Sequence, residues 1–261
     1  MSLLISTKAE IIKTKRSASF WLSLVGAAVI PVIFFLVYTI KPEKNYARLE
    51  AMPWEMHFLS GFQAYLTFLL PMFVILICSL IPQIEFKNNT WKQVFASPQS
   101  VGNIFLSKYI AIVLMVLFLF LMFNLFMVLA GIIPNLFYSK FTFLDNAIRW
   151  MELLKLNIKS FVSLLGIIAF QYWLSLRFKN FIVPIGIGLG LLVMSMIVFQ
   201  FHWEHIAKVP YAHPMLTFND LVSEKGLTGN LLKNHELNAI GYFIFFSLLA
   251  FLDMRFRKER G

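Results

Sequence analysis

Six stretches of this chain are apolar almost without interruption: 20–40, 58–82, 109–133, 161–176, 181–201 and 237–253. A helix rises 1.5 Å per residue and a bilayer core is about 30 Å thick, so about 20 such residues cross it. The pattern predicts an all-α polytopic membrane protein with six transmembrane helices. The run 20–40 outlasts a signal core of about 7–15 residues, and Lys41-Pro42-Glu43-Lys44 follows it with no small-residue cleavage pattern. It reads as a retained span. Residues 1–19 have another rhythm, with Leu3, Leu4, Ile5, Ile11 and Ile12 set among Lys8, Lys13, Lys15 and Arg16. That predicts a basic amphipathic helix lying in the membrane interface. One membrane domain is expected to cover 1–261.

Composition agrees. Hydrophobic residues make up 59% of the 261 and charged residues 14%, against about 25% charged in soluble domains. So few charges cannot cover a water-facing surface, which excludes a soluble enzyme, a disordered chain and a disulfide scaffold. Cys78 is the single cysteine, so no intrachain disulfide is available.

The formal charge of +10 is explained by sidedness. With both termini on one side, that side holds 13 of the 23 Lys/Arg but only Glu10, Glu85, Asp253 and Glu259 of the 13 acids. Cytoplasmic loops collect Lys and Arg. The expectation is a multi-pass protein of the cell (inner) membrane with both termini cytoplasmic and membrane lipid around it. No nucleic-acid partner is expected.

Candidate chemistry is sparse. The nucleotide-cradling pattern Gly-x4-Gly-Lys-Ser/Thr is absent, so no ATPase or other catalytic motif is read and no cofactor is expected. His202, His205 and His213, with Glu204, form the densest histidine group. Zinc there is the sharper reading and an interfacial loop the plainer one, and no metal site is assigned. Gly186 and Gly190 lie four apart on one helix face, suited to packing within the chain or to dimer packing. Asn124 is polar in mid-span and either joins helices or lines a substrate path.

The loop after the second span says most. It runs Gln83 to Pro98, and Thr90 stands where a cap for a short helix beginning at Trp91 is expected. Trp91, Val94 and Phe95 would form an apolar stripe, ending before Pro98. Such a stripe calls for burial against the membrane interface or a partner's groove.

At this loop the chain resembles the membrane subunits of type-two ABC exporters. Their signature is an acidic residue shortly after the second span, a Gly-Thr-type helix start, then Pro, then Lys before the third span. Glu85, Thr90, Pro98 and Lys108 hold those places, with Asn89 where glycine is common. The stretch 171–180 and the glycine-rich fifth span resemble the lantibiotic-immunity and bacteriocin-exporter permeases. The resemblance implies the type-two ABC exporter membrane-domain fold. It implies two permeases, identical or sister, each engaging a separate cytosolic ABC ATPase through Glu85, Asn89, Thr90, Trp91, Val94, Phe95 and Pro98. The implied cargo is an amphipathic peptide, drug or lipid-like molecule moved outward. The outer segment 201–236, with Leu216, Phe218, Leu221, Leu227, Leu231 and Leu232, would then supply helices that gate the exit. The alternatives are a membrane-embedded enzyme and a non-transporting sensor or assembly factor.

Overall fold

A chain in hydrocarbon must pair every backbone N–H and C=O within itself, and here helices do so. The computed structural model describes residues 2–15, 17–223 and 232–256, and the described residues contain no strand. The elements are α1 (Leu3–Thr14), α2 (Ala18–Ile40), α3 (Glu43–Leu49), α4 (Pro53–Ala64), α5 (Leu70–Lys87), α6 (Trp91–Ala96), α7 (Val101–Phe137), α8 (Trp150–Arg177), α9 (Ile182–Gln200), α10 (His213–Ser223) and α11 (Asn234–Phe256). A π-helical turn, Tyr65–Leu69, joins α4 to α5 in one rod. Six helices among the described residues are long and apolar enough to cross a membrane: α2, the rod Pro53–Lys87, α7, α8, α9 and α11.

Hydropathy alone understates several of these helices. The third was expected over 109–133, but α7 has 37 residues, about 55 Å of helix. It begins early because Ser100 accepts a hydrogen bond from the Asn103 N–H, 3.2 Å away, and caps it. It then runs through Lys108 because that charge is neutralised inside the protein. The fourth was expected over 161–176, whereas α8 starts at Trp150. Its extra turns are amphipathic: Leu153 and Leu156 are buried while Glu152 and Lys155 are exposed. A hydropathy window averages those turns away.

The rod is the most enclosed of the six and contacts α2, α7, α8 and α9. Pro71, just beyond the π-turn, has no N–H and would press its ring on the carbonyl of residue 67 in a regular helix. The wider turn, in which the Leu70 N–H reaches Tyr65 O, gives it room. Beside it, Tyr65 stacks on Phe123 with ring centroids 3.9 Å apart.

Several polar side chains inside the bundle are paired across helices. Asn124 and Asn157 exchange amide hydrogen bonds of 2.7 and 3.2 Å between α7 and α8. Each also donates to the carbonyl four residues back. Asn124 therefore joins helices. His57 Nε2 lies 2.9 Å from Met127 O. A carbonyl only accepts, so Nε2 carries the hydrogen and Nδ1 accepts from the Tyr38 hydroxyl, also at 2.9 Å. Gln171 Nε2 donates to Ser79 and to Pro184 O, and its Oε1 accepts from Tyr211.

Tyr211 belongs to a segment that folds back into the bundle. Two 3₁₀ turns, Ile206–Lys208 and Pro210–Ala212, lead into α10. There Met215, Thr217 and Phe218 are buried against α8, α11 and the π-turn. Of the expected gate residues, Leu216 and Phe218 lie on α10. Leu227, Leu231 and the side chain of Leu221 fall outside the described residues, and Leu232 follows at the far margin of that gap.

A β-carbon at Gly188 would stand 2.8 Å from both Gln171 Oε1 and Ile75, whereas at Gly186 or Gly190 it would meet nothing. The two glycines thus face outward from this chain, and intrachain packing is not their role. Gly188→Val should lower the melting temperature in detergent by several degrees, because it forces α9 off the rod. Gly186→Val should leave the melting temperature of the isolated subunit within a degree.

Candidate functional site

Where the rod ends, its last carbonyls need donors. The Thr90 N–H bonds Glu85 O at 3.0 Å and the Asn89 N–H bonds Phe86 O at 3.3 Å. This 6→1 plus 5→2 pattern requires a left-handed residue between helix and exit. Asn89 supplies it with φ 51°, so asparagine does here what glycine commonly does. The turn reverses the chain into α6. Thr90 occupies the cap position, but its side chain makes no capping bond. That corrects the expected cap: the backbone of Thr90 closes the rod, and its hydroxyl does not open α6.

The reversal returns α6 to its own bundle. Trp91 packs between Phe86 and Phe95, with ring centroids 5.3 and 5.5 Å away. Trp91, Val94 and Phe95 are half-buried against the core. Part of the stripe expected to seek lipid or a partner is therefore covered within this chain. The face left outward carries Lys92, Gln93 and Ala96.

Beneath Trp91 lies a buried ion cluster. The Lys108 ammonium sits 5.3 Å from the Trp91 ring centroid, 2.6 Å from Glu85 and 2.9 Å from Glu10. Lys13 closes the square at 2.7 Å from Glu10 and 2.9 Å from Glu85. Two carboxylates face two ammonium groups, so the set is neutral. The side chain of Lys108 is 0% exposed and that of Glu85 1%. Burial alone would raise the Glu10 carboxyl, but Lys108 and Lys13 outweigh it and hold it below its ordinary value. Burial likewise opposes the Lys13 charge, yet its bond to Glu10 and the charges of Glu10 and Glu85 keep its ammonium above the ordinary value.

These contacts fix three segments at one end of the bundle: α1, the rod terminus with α6, and the start of α7. The same end is tied by Arg177 to Asp253 at 3.0 Å, between α8 and α11. Helix α1 carries its polarity inverted. Ser6, Thr7, Glu10 and Thr14 are buried on the bundle, while Leu4, Ile5, Ile11 and Ile12 face out. A cavity of about 430 Å³ lies between α1 and α6, lined by Glu10, Lys13, Glu85, Thr90 and Gln93 among others. Glu85 Oε2, buried, makes no hydrogen bond to the described residues.

A family model described as ABC-2 family transporter protein matches residues 6–196. The chain belongs to this family. No curated protein and no solved structure matches it. The matched region holds all four residues of the ion cluster, α6, four of the six candidate spans and most of the fifth. An ABC-2 permease is a transport component and not itself catalytic, and membership implies an ATPase partner and paired permeases in general.

The expected site residues do not all converge. Glu85, Thr90, Trp91 and Val94 meet at the ion cluster or its cavity, Phe95 packs on Trp91, Asn89 is exposed in the turn, and Pro98 follows α6 after Ser97. Gly186 and Gly190 lie on α9, outside this site. Glu10 and Lys13 were not read as site residues. The one signal for Glu10 is an acid placed alone in a basic amphipathic segment.

The histidines separate. His202 and His205 are exposed, and His205 meets Trp203 edge-on. His213 is buried, donating from Nε2 to Ala207 O at 3.0 Å. Burial pushes its imidazole down to about 4, so it is neutral at pH 7. The stability it lends is present above about 6.5 and lost as pH falls from there toward 4. Among the described residues, no three His, Cys, Asp or Glu side chains are placed to hold a metal ion.

Removing one partner from a buried ion set leaves an uncompensated charge. Lys108→Met should destabilise the protein by about 3–5 kcal/mol in chemical unfolding, and adding Glu85→Gln should recover part of that loss. The docking of α1 should also follow pH with a definite sign. Glu10 sits low, so its contribution is present above about 4.5 and lost as pH falls through its depressed value. Lys13 sits high, so its contribution holds below about 10.5 and is lost as pH rises through its raised value. Thiol labelling of Thr14→Cys, with Cys78 buried, should stay slow between about pH 5 and 10 once corrected for thiolate fraction, and accelerate outside that window.

Proposed function

We propose that this ABC-2 permease is the membrane subunit of an exporter, driven by a separate cytosolic ATPase that docks on α6. The observation carrying the proposal is the ion cluster under Trp91. It clamps α6 to the ends of two spans and to α1. A push on the outward face of α6 is therefore delivered to the rod and α7 together and is not absorbed by a loose loop. ATP then biases a two-state membrane domain through its differential contact there.

Orientation follows the charges. The end bearing α1, α6 and the close of α11 carries Lys8, Lys13, Lys15, Lys87, Lys92, Lys108, Arg177, Lys179 and Arg255 against Glu10, Glu85 and Asp253. We place it in the cytoplasm of a cell (inner) membrane, with 1–261 acting as one permease domain. The exposed apolar side of α1 would rest in the adjoining headgroup layer. Gly186 and Gly190, open on α9, offer a close-approach face for a second permease, identical or sister. The re-entrant segment and α10 would gate the exit at the opposite end.

For cargo, the resemblance over 171–180 favours an amphipathic peptide, drug or lipid-like molecule, with antimicrobial-peptide immunity as its biological setting. Within the structure, Gln171 holds α5, α8, α9 and the re-entrant turn together. That stretch thereby joins the two ends through which such cargo would pass.

The test is association. Charge reversal on the outward face, Lys92→Glu with Gln93→Glu, should reduce recovery of the ATPase that co-purifies with the tagged chain about tenfold. The permease itself should fold normally. Undiminished recovery, or labelling of Ala96→Cys from outside intact cells, would remove the coupling assignment.

A further inference from the structure

At the end of the bundle opposite the ion cluster, a groove of about 490 Å³ opens between the start of the rod, the start of α8 and the end of α10. Its floor is apolar: Trp54, Phe58, Leu59, Leu153 and Leu156. Trp54 is a fixed wall, since its indole N–H is held by Phe143 O at 2.9 Å and Asn146 O at 3.0 Å. The rim is charged. Arg149 lies 3.3 Å from Glu55 and 3.5 Å from Glu152, both contacts through Nη1. From Arg149 to Leu156 along α8 the descent is about 10 Å.

We propose that this groove binds one phospholipid of the surrounding bilayer, with a zwitterionic ethanolamine headgroup. Three features select that occupant. Apolar surface lies at the same level: Met52 on the groove and, on the far side of α8, Trp150, Met151 and Leu154 are all between 46 and 66% exposed, so bilayer lipid reaches the height of the groove. The rim pairs one guanidinium with two carboxylates. A phosphate takes the planar fork of Arg149, whose Nη2 and Nε make no hydrogen bond to the described residues. The ammonium group of the headgroup then takes Glu55 and Glu152, which would repel an anionic headgroup. Beneath this rim the aromatic and leucine floor receives the upper part of an acyl chain. The site is separate from the ATPase end and does not depend on the transport reading.

The experiment is native mass spectrometry of the purified chain alone, released from micelles containing equimolar phosphatidylethanolamine and phosphatidylglycerol with identical chains. One phosphatidylethanolamine per chain should survive activation that strips phosphatidylglycerol. Arg149→Ala should cut that retained fraction about tenfold. Glu55→Gln with Glu152→Gln should erase the preference between the two lipids. Arg149 is exposed and bonded to exposed carboxylates, so its loss leaves the bundle intact. Leu156→Trp, which fills the floor and keeps every charge, should also displace the lipid. Equal retention of both lipids by the wild type, preference for phosphatidylglycerol, or retention unchanged by Arg149→Ala and by Leu156→Trp would each overturn the proposal.

Discussion

Lys108 carries a full charge with no solvent contact along its side chain. An ammonium ion taken out of water costs several kcal/mol unless its neighbours replace the hydration it loses. One carboxylate would balance the charge yet leave two N–H donors to satisfy. The fold answers with Glu85 from its own signature loop, Glu10 from a helix 98 residues away in sequence, and the face of Trp91 above. Glu10 in turn is buried and needs Lys13. Docking of α1, closure of the rod and placement of α6 are thus one electrostatic solution, which explains why an amphipathic helix turns its polar side inward.

How legible this was depended on whether the physics acts along the chain or across it. Six spans were legible because hydropathy integrates over about 20 residues, and the left-handed turn at Asn89 because it is a local steric demand. The Asn124–Asn157 pair was half legible. Asn124 lies deep in an apolar run, but Asn157 lies in an amphipathic extension that hydropathy placed outside the membrane. The pairing of Glu10 with Lys108 was not legible, since nothing in the residues between them encodes that meeting. The surroundings of the stripe on α6 were not legible for a related reason. An apolar face announces that it will be buried but not against what, and here Phe86 and Lys108 cover part of Trp91.

The two ends of the bundle are built from different forces. One is held by charges matched in a low-dielectric pocket, where each pair is worth more than in water. The other is held by aromatic packing and by side-chain hydrogen bonds: Tyr38 to His57, His57 to the Met127 carbonyl, and Trp54 to the Phe143 carbonyl. Between them Gln171 ties the re-entrant turn to the bundle through the Tyr211 hydroxyl and satisfies the Pro184 carbonyl on α9.

The π-turn at Tyr65–Leu69 has a geometric consequence for these two ends. It accommodates one residue more than a regular helix would, and each residue of an α-helix advances about 100° around the axis. The supernumerary residue therefore fixes the rotational phase between Trp54 and His57 on one half of the rod and Ile81 and Glu85 on the other. Without it the rod would still be long and apolar enough to cross the membrane, but its two halves would address their neighbours a quarter-turn out of step.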